Sequence, residues 1–254
     1  MLETYIKKRR EKKSLLLMAH LVIGYPSLED NRIMLEKMAE ADVDIVELQF
    51  PFSEPVADGP LFVQANQAAL DSGITVDQCL EFMKESSEKY DFPCLMMGYY
   101  NTVFVRGEET FCKELKECGA KGYIVPDAPI AKDESLYKHA KAYSLDPILI
   151  ITPNTSLERK KEIASCSEGF VYCVARKGVT GQKTDFGETL KAYLSEVKKA
   201  THLPIALGFG VKSKEDFDAL RGVADIAVLG TEALRRYKED GIEKYLELLK
   251  FHLD

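Results

Sequence analysis

The chain has 254 residues, 46% of them hydrophobic, which is enough to bury a full core and suits one domain of alpha/beta barrel size, about 250 residues, over 1–254. Its 34 basic against 41 acidic residues leave a net charge of -7 and a pI near 5.3, so nothing draws it globally to nucleic acid or an anionic membrane. An anionic substrate therefore needs a local site, and two smaller domains are the alternative organisation.

No apolar run approaches the roughly 20 residues of a membrane span. The basic start MLETYIKKRREKK lacks the apolar core of a secretory signal, and its acidic residues argue against a transit peptide. The six cysteines form no CxxC pair and read as reduced thiols of a cytoplasmic protein.

In chain order, residues 2–12 predict a short charged helix and 15–23 an apolar strand ended by Gly24-Tyr25-Pro26. An amphipathic helix over about 30–41 follows, with Ile33, Leu35, Met38 and Ala39 on its apolar face, and then the strand that contains Glu47. The alternation recurs, with helices near 61–71 and 76–89, a strand at 93–99, a helix near 108–118, a strand at 122–126 and a helix near 132–143. It continues with a strand at 147–152, a helix near 156–165, a strand at 170–175 and a helix near 187–199. A strand at 204–208, a helix near 213–220, a strand at 225–229 and helices to the C-terminus complete it. Eight strands, each followed by helix, predict a closed parallel (β/α)8 TIM barrel with a short N-terminal helix. Strand count does not prove closure, so an open doubly wound sheet remains the alternative.

The stretch 44–60, DIVELQFPFSEPVADGP, carries the chemistry. Glu47 sits among Ile45, Val46, Leu48 and Phe50, where desolvation raises a carboxyl pKa and makes a general acid or base near neutral pH. By residue type alone, a strand-end glutamate turned to solvent is the commoner case. Asp58 lies in the following loop, a more polar setting, so the two carboxyls are expected to take different roles. Glycine-rich loops follow the last three strands, at 177–181, 208–210 and 230–231. Glycine lets backbone N–H groups approach an anion, and a helix beginning near Thr231 would aim its positive end at a phosphate, a site barrels often build after strands seven and eight. The other reading is that these glycines only make turns. His20, His139, His202 and His252 have no metal-ligand spacing, and no cofactor is required.

The pattern E-L-x-x-P-F-S-x-P-x-A-D-G-P, with ten fixed positions in fourteen, resembles the signature of the tryptophan synthase alpha subunit, and the later motifs follow in that family's order. The resemblance implies reversible cleavage of indole-3-glycerol phosphate to indole and glyceraldehyde 3-phosphate, with Glu47 and Asp58 catalytic. It implies Tyr99, Tyr172 and Thr180 at the active site, Gly181, Gly210, Gly230 and Thr231 around the phosphate, and Ile124-Val125-Pro126-Asp127 as the family's V-x-D segment. It also implies a tryptophan synthase beta subunit as partner, docked on the loop 51–60 and the segment 99–102. A weakened alpha subunit that mainly activates the beta subunit is a second reading, and a stand-alone lyase or isomerase a third.

Departures from the family cluster at the site. Gln49 stands where glycine is usual, His20 replaces an apolar or aromatic residue, and Val22 replaces a frequent threonine; Glu54 and Thr102 replace an aspartate and a proline. By strand alternation Gln49 shares a side with Glu47, so it is expected to fill ring space or hydrogen-bond Glu47 and thereby limit activity. A barrel-strand twist or bulge that turns it outward is the alternative.

Overall fold

The computed structural model describes residues 1–130, 135–174, 188–208 and 210–253. Short apolar runs become parallel strands: β1 (Leu16–Val22), β2 (Ile45–Gln49), β3 (Cys94–Met97), β4 (Gly122–Ile124), β5 (Asp146–Ile148), β6 (Ile150–Ile151), β7 (Val171–Val174), β8 (Ile205–Gly208) and β9 (Ile226–Leu229). Their order is β5-β4-β3-β2-β1-β9-β8-β7-β6. The run expected as one strand at 147–152 appears as β5 and β6, separated only by Leu149, whose carbonyl accepts from the Tyr172 N–H at 3.0 Å. Its first half pairs with β4 and its second with β7, so it closes the ring and the sheet has no open edge there. The eight expected strands thus make a barrel rather than an open sheet.

Period-2 alternation sorts the strand residues into two layers. Leu16, Met18, Ile45, Leu95, Met97, Ile124, Ile148, Tyr172, Ala206, Ile226 and Val228 fill the barrel interior. Ala19, Leu21, Val46, Leu48, Met96, Cys173, Leu207 and Leu229 face outward into the shell shared with the helices. Both sides are buried, which is why the strands read as continuous apolar runs. Helix α1 (Leu2–Arg10) closes the N-terminal end of the barrel, with Leu2 and Ile6 packed into the interior cluster. It is latched there by Arg9 Nη2, 2.5 Å from the buried Asp44 carboxylate, whose other oxygen accepts from the Leu17 N–H at 2.9 Å. With that end plugged, the open end is the one where strands run into their following loops.

Local signals set the helix starts. Ser27 caps α2 (Leu28–Glu40) by accepting from Asp30 N–H, and Thr75 with Gln78 forms a capping box on α4 (Val76–Lys89). Pro60 occupies the first turn of α3 (Pro60–Asp71), where its missing N–H costs nothing. Helix α5 (Tyr100–Arg106) was not expected from the sequence: it spans 7 residues, and Phe104 and Val105 are exposed, so it shows no amphipathic period. Asp127 holds its start by accepting from Tyr100 N–H at 2.8 Å. The remaining helices are α6 (Glu108–Glu117), α7 (Ser135–Ala142), α8 (Leu157–Cys166), α9 (Glu188–Ala200), α10 (Lys214–Asp218) and α11 (Thr231–Lys250), the last kinked at Gly241, φ 82°. No described helix is long and apolar enough to cross a membrane. All six cysteines are buried free thiols.

Candidate active site

A cavity of about 180 Å³ opens at the C-terminal ends of the strands, and the expected residues Glu47, Asp58, Tyr172, Gly210, Gly230 and Thr231 line it. His20 of β1 and Phe62 of α3 complete one wall, and Lys212 and Arg235 border it.

Glu47 is the central residue of β2, 2% exposed, and directly beside it in the β1 ladder lies His20. Burial, reinforced by the neighbouring Asp58 charge, pushes the Glu47 carboxyl up to about 8. Its Oε2 is buried without a hydrogen-bond partner, as suits a neutral acid rather than a carboxylate. A strand glutamate turned to solvent is therefore not what the fold builds.

Asp58 reaches the cavity from the loop between β2 and α3, and it is held by amides. Gln49 Nε2 donates to its Oδ2 at 2.6 Å and Asn66 Nδ2 to the same oxygen at 3.3 Å. Burial raises its pKa to about 6, a rise held down by hydrogen bonds from Gln49, Tyr99 and Asn66. Around neutral pH the cavity therefore holds one neutral carboxyl and one carboxylate. Asn66, wholly buried on α3, also accepts from Phe52 N–H at 3.0 Å and donates to the Phe62 carbonyl at 2.8 Å, which ties the loop to the helix.

Gln49 corrects the expectation placed on it. It is buried inside the barrel, yet it does not line the cavity and does not bond Glu47. Its amide bridges Asp58 and His20, with Oε1 at 2.8 Å from His20 Nε2. Loop and α3 close over the strand end, so the side chain that alternation turns inward is absorbed by Asp58.

Tyr172, 7% exposed, faces the cavity beneath Gly208, where any side chain would run into the Tyr172 hydroxyl. That near contact is the reason a glycine stands at 208. Tyr99 is fully buried and is not part of the cavity wall. It stacks on Phe52 with ring centroids 5.2 Å apart, and its hydroxyl accepts from Ala57 N–H at 3.2 Å, so it supports the Asp58 loop from behind. Gly210, at φ +133°, and Gly230, the residue before the first turn of α11, bring backbone to the cavity, Gly230 beside Phe62 and His20, where Thr231 opens the helix. Thr180 and Gly181 lie outside the described residues.

Asn66, Phe62, Lys212 and Arg235 escaped the sequence reading. The one available signal was Asn66, a polar residue on an otherwise apolar helix face beside Phe62, Ala65 and Ala69. The cations come from separate segments that only the fold brings to one rim. Among the described residues no group of three or more His, Cys, Asp or Glu is arranged to hold a metal ion.

The sequence model of the family described as tryptophan synthase alpha chain matches residues 6–252. The tryptophan synthase alpha chain of Desulforapulum autotrophicum is 48% identical over 96% of each chain, and that of Syntrophotalea carbinolica 46% identical over 95% of this chain and 96% of its own. Among solved structures, tryptophan synthase of Mycobacterium tuberculosis superposes with a TM-score of 0.92 at 25% identity, over 99% of this chain and 96% of that one. The alpha subunit from Legionella pneumophila does so with 0.88, also at 25% identity, over 99% and 96%. Two curated relatives approaching half identity along nearly the whole length, on a barrel whose two carboxyls meet where the signature motif puts them, show that the chain belongs to the tryptophan synthase alpha chain family.

Proposed function

We propose that this chain is the lyase of that family's reaction in tryptophan biosynthesis, cleaving indole-3-glycerol phosphate reversibly to indole and glyceraldehyde 3-phosphate by acid–base chemistry that needs no cofactor. The observation that carries the reading is two buried carboxyls lining one cavity in different settings, Glu47 with Oε2 unpartnered among apolar neighbours and Asp58 held by the amides of Gln49 and Asn66, which favours the acid form of the first and the ionised form of the second. Glu47 gives its proton to the ring carbon that bears the glycerol chain, and the resulting positive charge spreads to the indole nitrogen, where the Asp58 carboxylate stabilises it. The Glu47 carboxylate then takes the proton of the adjacent side-chain hydroxyl. As that O–H becomes a carbonyl, the carbon–carbon bond breaks, its electron pair returns to the ring, and Glu47 regains its starting state.

The substrate phosphate is assigned to the wall made by Gly210, Gly230 and Thr231, where the start of α11 and the side chain of Lys212 favour an anion, while Arg235 beside them is paired with Glu232 and Glu239. A beta subunit is the partner proposed for the C-terminal rim. In support, Val56, Phe104 and Val105 are 72%, 68% and 74% exposed there, on a loop and a helix joined through Tyr99. The test is indole release from indole-3-glycerol phosphate, with and without a cognate beta subunit. No release under either condition would overturn the reading.

A further inference from the structure

His20 and Gln49 occupy positions where the interior of the barrel is otherwise mostly apolar, and both are buried. Their hydrogen bonds form a chain whose polarity is set from one end. An ionised Asp58 only accepts, so Gln49 must turn its NH₂ toward it, as the 2.6 Å contact from Nε2 has it. The Gln49 oxygen then faces His20 Nε2 at 2.8 Å, and because an amide oxygen only accepts, that nitrogen carries the imidazole proton. Burial holds His20 neutral, with a pKa near 4, which leaves a lone pair on Nδ1. That nitrogen lies 3.8 Å from Glu47 Oε2, the buried oxygen that has no partner of its own.

A polar pair that served only to fill the core would end on satisfied atoms. This chain ends on a lone pair facing an acid oxygen in need of an acceptor. We propose that His20 is a positioning residue for Glu47: with its proton fixed on Nε2 through Gln49 and Asp58, it offers Nδ1 to the Oε2–H of the neutral acid and so holds Glu47 protonated at rest, and a half-turn of the carboxyl about its Cγ–Cδ bond then presents that O–H to the cavity. The contact is too long for a hydrogen bond as it stands, and a movement of about 1 Å closes it, the tightening typical of sites that bind substrate. An ionised Glu47 would meet a lone pair instead, so the arrangement favours the acid form. It also ties the His20 tautomer to the charge on Asp58. The inference rests on Glu47 being the proton carrier.

Three measurements test it. Nitrogen-15 NMR of the wild-type protein at neutral pH should show His20 neutral with the proton on Nε2, and Gln49→Met should release that preference. His20→Phe keeps a ring that can stack on Phe62, whose centroid lies 4.5 Å away, but has no acceptor; its kcat for indole release should fall at least about tenfold while KM stays within about twofold. His20→Asn, which can offer an acceptor near the Nδ1 position, should recover kcat to within about threefold of wild type. A wild-type His20 protonated on Nδ1, a His20→Phe enzyme with unchanged kcat, or a folded His20→Asn no better than His20→Phe would each overturn the proposal. If His20→Phe does not fold, the wild-type tautomer decides. Absence of indole release by the wild type would instead overturn the reaction reading, which the tautomer measurement does not use.

Discussion

Glu47→Gln separates the chemistry of the site from its cost to the fold. In the folded protein the Glu47 carboxyl has a pKa of about 8 against an ordinary value of 4.5, so the native state keeps a proton that the unfolded chain has already released. The contribution of this group to stability is fully present below pH 4.5 and is lost as pH rises toward 8. The slope is about 1.4 kcal/mol per pH unit, or about 5 kcal/mol across the window. Above pH 8 both states are ionised and the slope vanishes. Glutamine has nearly the same shape and does not titrate, and any new unpaired amide donor adds an offset that is the same at every pH. Urea unfolding of the wild type and Glu47→Gln from pH 5 to 9 should therefore show the variant gaining on the wild type by about 3 kcal/mol between pH 5 and pH 7, and levelling off past pH 8. Indole release by the variant should be almost abolished at all pH values, because the amide cannot carry a proton. A stability difference that stays flat from pH 5 to 8 would refute the assignment of a buried, neutral Glu47, whatever the activity.

The pH profile of kcat/KM should be bell-shaped, falling below about 6 as Asp58 takes up a proton and above about 8 as Glu47 loses its own; a profile flat across that range would remove the pair from the mechanism. Gln49→Gly, which on sequence grounds should relieve a crowded site, is now expected to lower kcat and to move the acidic limb upward, since it deletes a donor that stabilises the Asp58 charge. An increase in indole release would show that the amide is a brake after all. Gly210→Val should raise KM for the phosphorylated substrate by roughly tenfold or more, because the residue lines the cavity at φ +133°, a conformation that a branched side chain resists. Unchanged KM in a folded variant would move the phosphate elsewhere.

The order of strands and helices, the barrel class and the inward direction of Glu47 were legible in the sequence. They follow from local rules: a period of 2 assigns each strand residue to a face, and strands buried on both sides must be apolar throughout, so an acid in the middle of one marks a site. Gln49 shows where those rules stop. Alternation correctly turned it inward, but what its amide meets depends on how closely α3 and the 51–60 loop approach the strand end, and that is set by non-local packing to within an ångström. Tyr99, read as a substrate contact, sits behind the loop for the same reason. Barrel closure at Leu149, where one strand changes partner from β4 to β7, depends on twist accumulated around the whole sheet. The Gln49–His20 contact that sets the His20 tautomer and the meeting of Lys212 with Arg235 at one rim join residues more than twenty positions apart in the chain, and distances between such residues exist only once the barrel has closed.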